Sequence, residues 1–244
     1  MQSASLTGAF HPKALTQGLS AEIIHRIDAI HLLLLKYGYP TKTYTAKSVQ
    51  TLLSLGDEKK KDILQLLDIW HGILASAEAS VEEVNEPKLA DKALKYLNFR
   101  LKDYDWLDRH QNEIIEIYTP IGIQLYRSMN FFETCGYSLL DLCVNEWFVL
   151  WERPKFVVDR MHQIVDEVLS GRKKDPAFGL GPHLVRETYN DGTTQPFLPR
   201  AAIVEFKNIY PAYGASGDNI IGFVVTSVGK VISEGDEALK MGFI

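Results

Sequence analysis

Four pairs of an acidic residue and a histidine three positions later are the residues in this sequence with the clearest potential for chemistry. The pairs are Glu22 with His25, Asp28 with His31, Asp68 with His71, and Asp159 with His162. Residues three apart on a helix share a face, and helical bundles bind metals through such carboxylate and histidine pairs. Acidic residues are frequent, however, and no other ligand type clusters nearby. Surface pairs or hydrogen-bonded core histidines explain the pattern more simply, so we expect no metal site.

Cysteine chemistry and the common catalytic motifs are not indicated either. Cys135 and Cys143 show no metal-ligand spacing and are expected to be reduced, small buried side chains. The sequence contains no GxSxG elbow, phosphate-binding glycine loop with its lysine, HExxH or CxxC. We therefore assign no catalytic residue.

Composition narrows the class of protein. The 244 residues are 46% hydrophobic and 23% charged, which is ordinary for a globular protein with a real core. The net charge of −5 provides no basic field for nucleic acid, apart from the short run "GRKK" at 171–174. No apolar run reaches the roughly 18 residues of a membrane span, and the first residues do not resemble a signal peptide. We expect a cytoplasmic protein that binds neither nucleic acid nor membrane.

The elements of the first hundred residues are predicted to be helices. Ser20 is the expected cap of a helix that Gly38 and Pro40 end, and its apolar positions recur at helical spacing: Ile23, Ile27, Ile30 and Leu34. A second helix is predicted over Thr45 to Leu55, and a third begins at Asp57.

A fourth helix is predicted from Pro87 to about Ile117. Its apolar positions step alternately by four and three: Ala90, Leu94, Leu97, Leu101 and Tyr104. This seam is typical of a bundle helix or a short coiled coil. We take Leu94, Leu97, Leu101 and Tyr104 as interface candidates that pack against the other helices or against a second subunit.

The C-terminal part is predicted to form an antiparallel meander. Strands are expected at 184–189, 200–209 and 220–228, because β-branched and apolar residues alternate with turn residues there. The turns are "NDG" at 190–192 and "YGASGDN" at 213–219. The predicted fold class is therefore α+β, with a helical bundle followed by an antiparallel sheet and flanking helices.

The second half of the chain resembles the PAS domain family. The resemblance begins with Asn130 and Phe132 before "GYS" at 136–138, and continues through "NEWFVLW" to a helix ending at Gly171. It closes with "NDG" at a strand turn and "IIGFV" opening the final strand. The resemblance implies a helical region at 1–112 and a PAS-like domain at 113–244.

The resemblance also implies a hairpin of two strands before Asn130. The segment available for it, "IIEIYTPIGIQLYRSM", has no turn pair at the expected place. We expect these two strands to be shortened, or one of them to be absent.

PAS-like sheets wrap over short helices and leave a cavity on one face, which implies a site for a small ligand. The candidate lining residues are Trp147, Phe148, Phe156, Met161, His162, Phe197, Phe223 and Ser227. Glu146 stands where flavin-binding members carry a reactive cysteine, and Ser227 stands near their glutamine, so flavin is not expected. His162 has the wrong spacing to Gly171 for a haem ligand, so haem is not expected, and the cofactor is left unknown.

Two functional hypotheses follow. The first is a non-catalytic regulator of signal transduction, in which the PAS-like domain binds a small molecule or protein and acts on the N-terminal helices. A protein partner or a homodimer is expected in that case. The alternative is a small α+β enzyme or ligand carrier, in which Asp159 and His162 perform acid and base chemistry.

Overall fold

The computed structural model describes most of the chain. The described residues are 18–78, 85–103, 105–118, 124–146, 150–170, 178–187, 200–212 and 222–231. Their helices are α1 (Leu19–Lys36), α2 (Ala46–Ser54), α3 (Asp57–Glu78), α4 (Glu86–Tyr96), α5 (Asp105–Arg109), α6 (Phe131–Thr134), α7 (Leu139–Val144) and α8 (Lys155–Leu169). Their strands are β1 (Phe99–Arg100), β2 (Ile114–Tyr118), β3 (Gln124–Arg127), β4 (Trp151–Glu152), β5 (Phe178–Glu187), β6 (Arg200–Pro211) and β7 (Gly222–Val231). The fold is mixed α+β.

The first three helices follow their apolar periodicity. The predicted inner positions of α1, from Ile23 to Leu34 on one face, are fully buried. Gly38 ends this helix with a φ of 80°, as glycine permits. The predicted cap was wrong: the helix begins after Gly18, and Ser20 lies buried in its first turn. Thr45 caps α2 by accepting a hydrogen bond from the Ser48 N–H at 3.1 Å.

The fourth helix is much shorter than predicted. It starts under an Asn85 cap with Pro87 in its first turn, and it ends at Tyr96 rather than near Ile117. Asn98 adopts a φ of 59°, a left-handed conformation that breaks the helix. Phe99 then pairs with Pro211 of β6. The prediction failed because pairing with a distant strand outweighs the local helical pattern.

The predicted seam lies in the core of the chain itself. Leu94 and Leu101 are buried, and Leu97 packs half-buried against the same core. Leu101 does so from an extended segment after β1 rather than from a helix. Tyr104 lies outside the described residues.

The predicted meander is confirmed. All strand pairs are antiparallel, and the sheet has the order β3-β2-β7-β6-β5-β4, with β1 beside β6. The three long strands β5, β6 and β7 overlap the predicted ones: β5 begins earlier than predicted, and β6 and β7 end later. Residues 188–189 and 220–221 of the predicted strands lie outside the described residues. The turns predicted at 190–192 and 213–219 lie outside the described residues.

Both strands of the expected hairpin are present as β2 and β3, immediately before Asn130. Glu116 pairs with Arg127, and Tyr118 pairs with Gln124 after a register shift beyond Ile117. β2 continues into the sheet through β7. The two strands are short, as expected, and neither is absent.

The β2–β3 hairpin has one apolar face and one polar face. Ile115, Ile117 and Tyr126 are buried in the same core as the N-terminal helices, and both α3 and α4 contact β3. Glu116, Tyr118 and Arg127 alternate with these residues and therefore lie on the opposite face. Over the described part of the chain, no helix has the length and apolarity to cross a lipid bilayer.

Candidate functional site

A buried ion pair spans the polar face of the hairpin. The strand register brings Glu116 opposite Arg127, and Nε of Arg127 donates to Oε1 of Glu116 at 2.6 Å. Nη2 lies 2.6 Å from the same oxygen, and the two side chains are only 5% and 13% exposed. Burial lowers the pKa of Arg127, but Glu116, Tyr118 and Cys135 together outweigh it, and the net pKa is raised. Arg127 is therefore a permanent buried cation.

A second cross-strand pair extends the polar network. Gln124 Nε2 donates to Glu116 Oε1 at 2.9 Å and lies 2.8 Å from the Tyr118 hydroxyl oxygen. Burial and the neighbouring Glu116 raise the pKa of Tyr118. The phenol therefore stays neutral and remains a hydrogen-bonding group at ordinary pH.

Aromatic rings enclose the guanidinium of Arg127. Its Cζ lies 4.0 Å from the centroid of Phe131 and 5.3 Å from that of Trp151. Trp151 in turn makes edge contacts with Phe131 and Tyr137, at centroid distances of 5.6 and 5.3 Å. Such rings stabilise a cation electrostatically and restrict the orientation of its plane.

A second arginine lies close to this pair. The pKa of Arg153 is lowered by burial, raised by Glu116 and Tyr118, and lowered again by Arg127. In the chain, Arg153 follows Trp151 of β4 by two residues. We call Glu116, Tyr118, Gln124, Arg127, Phe131, Trp151 and Arg153 the arginine cluster.

The two cysteines lie beside the arginine cluster. Neither forms a disulfide; Cys135 is buried and Cys143 is half-buried. Burial raises the pKa of Cys143 to about 12, although Arg127 opposes the shift. For Cys143 this agrees with the expected role as a small packing residue, since a nucleophilic cysteine needs a lowered pKa.

Glu86 connects the cluster to the N-terminal helices. Its carboxylate accepts hydrogen bonds from the backbone N–H of Met129 at 3.0 Å and of Asn130 at 2.8 Å. These two residues join Arg127 on β3 to Phe131 on α6. A residue at the start of α4 therefore holds the loop that positions both Arg127 and its aromatic neighbour.

A second buried contact joins the two regions. Ser48 on α2 donates from its hydroxyl to Oδ1 of Asp141 on α7. Asp141 Oδ2 accepts from the Ser138 N–H at 2.9 Å, which completes a capping box. All three side chains are buried.

The residues predicted to line a pocket lie on helix α8, on strand β7 and outside the described residues. On α8, Phe156 is 50% exposed and His162 is exposed, while Met161 is half-buried. In the backbone register, Phe223 pairs with Tyr118 and Ser227 with Ile114. Trp147, Phe148 and Phe197 lie outside the described residues.

The histidine pairs do not converge on a common point. Within the described ranges, no three side chains of histidine, cysteine, aspartate or glutamate come together to hold a metal. Asp159 is bound by Lys155 Nζ at 2.6 Å on the surface of α8, and Asp68 pairs with Arg26 at 2.6 Å. Burial lowers the pKa of His31 despite the nearby Asp28.

Sequence reasoning did not select the arginine cluster. A signal was available, because "IIEIY" and "QLYR" alternate apolar residues with Glu116 and Arg127 in a segment taken as two strands. The contact between Glu116 and Arg127 could not be predicted from this alternation alone. It depends on the register of the hairpin, which shifts between Ile117 and Tyr118. Arg153 gives no local signal, since only the fold brings it to the hairpin.

A scan against models of known protein families found none that matches this chain, and a search of curated proteins found no match.

Proposed function

We propose that this chain is a sensory or regulatory protein whose PAS-like domain binds a small ligand or a protein partner and acts on the N-terminal helices. The order of its parts supports the proposal: a hairpin precedes Asn130 and the helix containing Phe132, and three antiparallel strands follow the long helix α8. The PAS resemblance implies this order. It also implies a ligand site on one sheet face, and the arginine cluster occupies one face of the hairpin.

The observation that carries the proposal is the pair of hydrogen bonds that the backbone N–H groups of Met129 and Asn130 donate to the carboxylate of Glu86. The loop is also fixed from the sheet, because the side-chain Nδ2 of Asn130 donates to the Glu113 carbonyl at 2.8 Å. Ser128 exchanges backbone and side-chain bonds with Ile115, at 2.7 and 2.8 Å. A ligand that shifts Arg127 or Phe131 must therefore move this loop and the carboxylate of Glu86. A ligand can act on the helices only if it binds more tightly to one of two conformations of this loop than to the other.

Amide hydrogen exchange of the full chain tests the proposal. A panel of small metabolites is first screened by thermal shift, and exchange is then measured with and without each compound that binds. We expect binding to change exchange in α4, and the Glu86→Gln variant to reduce that change while retaining affinity. Binding that leaves α4 unchanged, or turnover of the bound compound, would contradict a non-catalytic sensor.

A further inference from the structure

Helix α1 carries two neighbouring leucines on the side that faces away from the core. Leu32 and Leu35 are 69% and 58% exposed, the two highest values among the large apolar side chains of the described residues. At 100° per residue, Leu32 lies opposite the buried stripe that runs from Ile23 to Leu34. Packing within the chain does not explain an apolar pair in this position. Adjacent exposed apolar side chains with charged neighbours are typical of an interaction surface.

The charges beside these leucines have opposite signs on the two sides of Leu32. Asp28 lies about one turn before Leu32 and Lys36 about one turn after it, and both are exposed. Each is four residues from Leu32, a distance of about 6 Å along the helix. Lys36 also pairs with Glu78 of α3, and the lysine side chain is still 60% exposed. The face is therefore acidic on one side of the leucines and basic on the other.

A face with this arrangement is complementary to a second copy of itself in antiparallel packing. A two-fold axis at Leu32 brings Asp28 of each copy opposite Lys36 of the other, because both residues lie equally far from the axis. The same operation brings Leu32 against Leu32, and Leu35 extends the apolar contact along the helix. Parallel packing would instead place Asp28 opposite Asp28, and like charges across an interface are unfavourable.

We propose that the exposed face of α1, formed by Asp28, Leu32, Leu35 and Lys36, is a contact between two copies of this chain packed antiparallel about Leu32. One face of an 18-residue helix offers fewer residues than the roughly 20–30 per side of a standard interface. We therefore expect a weak dimer that forms as the concentration rises. The contact goes beyond the proposed function and needs no ligand.

Sedimentation velocity of the full chain from about 1 µM to about 1 mM tests the contact, because weak complexes dissociate in this range. We expect the mass to rise from that of one chain toward that of two. Leu32→Asp should weaken association by about tenfold or more, since it brings two carboxylates into the apolar centre of the contact. Phe156→Asp is the matched control. Phe156 is 50% exposed on α8, so its variant should associate like the parent protein.

Charge reversal tests the antiparallel arrangement. Asp28→Lys and Lys36→Asp each place like charges opposite one another at two symmetric contacts, so each should weaken association by about threefold or more. An equimolar mixture of these two variants pairs opposite charges at both contacts and should associate at least as tightly as the parent protein. Circular dichroism verifies that each variant is folded, and both replaced side chains are exposed.

Three results would overturn the proposal. The first is a parent protein that stays monomeric at every concentration, or a dimer that Leu32→Asp leaves intact. The second is a Leu32→Asp variant that is less stable where the parent is monomeric, because a segment of the same chain would then cover the leucines. The third is a mixture of the two charge variants that associates no better than either alone. None of these results bears on amide exchange in α4, which tests the sensor function separately.

Discussion

Arg127 carries a full charge in a place where its side chain is only 5% exposed to water. Desolvation of such a charge is costly, and the cost is offset here by Glu116 and by the rings of Phe131 and Trp151. Removing one partner leaves the other buried without compensation. The interaction energy between Glu116 and Arg127 can therefore be measured only when both residues are replaced together as well as singly.

The Arg127→Met variant should lose about 3–5 kcal/mol of unfolding free energy, because it leaves the Glu116 carboxylate buried and uncompensated. The double variant with Glu116→Gln should be less destabilised than the single one. Urea unfolding of both single variants and the double variant measures this coupling. Additive effects of the two changes would contradict an energetically coupled pair.

Three buried groups near the hairpin should make the protein sensitive to alkali. Burial raises the pKa of Tyr118 and Tyr126, and raises that of Cys143 to about 12. Above about pH 9, where the thiol and then the phenols ionise in the unfolded chain, the folded state keeps more protons. These three groups should therefore leave stability unchanged between about pH 8 and 9 and lower it as the pH rises toward 12. Urea midpoints from pH 8 to 11 check this expectation.

The Tyr126→Phe variant isolates one contribution to that fall. The Tyr126 hydroxyl is buried without a hydrogen-bond partner among the described residues, so removing it should not destabilise the protein at pH 7. The decline with alkali should become shallower. Tyr96→Phe is the control, because Tyr96 is 50% exposed and its variant should follow the parent curve. Stability that does not change between pH 8 and 11 would refute the assignment.

At the scale of elements, helix α4 is defined by its ends. Asn85 caps its start, Glu86 in its first turn reaches the loop before α6, and the left-handed Asn98 follows its last residues. The hydrogen bonds to Glu86 matter because the backbone N–H groups of Met129 and Asn130 need acceptors in a buried setting. α4 is therefore attached to the sheet by hydrogen bonds as well as by apolar packing.

Replacing Glu86 with alanine should cost about 1–3 kcal/mol of unfolding free energy, because two amide donors lose their acceptor. Asp91→Ala, on the same helix, removes only the surface pair with Lys95 and should cost less than about 1 kcal/mol. Denaturant midpoints of both variants provide the comparison. Equal losses would show that Glu86 is no more than a surface contact.

At the scale of the molecule, the helices and the sheet share one core. A single cluster of buried apolar residues includes Ile23 of α1, Leu94 of α4, Ile117 of β2 and Ile209 of β6. Buried contacts of Glu86 and Ser48 cross the same boundary. Segments that share a core in this way are expected to unfold together.

We expect one cooperative transition, with far-ultraviolet circular dichroism and tryptophan fluorescence coinciding. Leu94→Ala should lower the free energy of unfolding by about 2–5 kcal/mol and shift the common midpoint accordingly, because Leu94 is fully buried. Leu32→Ala is the control, since Leu32 is 69% exposed and its loss should matter little. Two separate transitions, with Leu94→Ala affecting only one, would contradict a shared core.

The elements whose apolar pattern is local could be predicted from the sequence. The inner face of α1, the extent of α2, the start of α3 and the three long strands follow from side-chain periodicity and turn residues, which act over a few positions. The burial of Leu94 was also predictable, because an apolar stripe on a helix must be covered. These features depend on neighbours along the chain.

The end of α4 and the location of the candidate site depend on contacts between distant parts of the chain. Phe99 leaves the helix because β6, more than a hundred positions later in the chain, offers it a strand partner. Glu116 pairs with Arg127 because the register of the hairpin shifts between Ile117 and Tyr118. Arg153 belongs to a segment that follows α7 in the chain. Contacts of this kind depend on the free energy of the whole packed arrangement, which no local pattern of residues encodes.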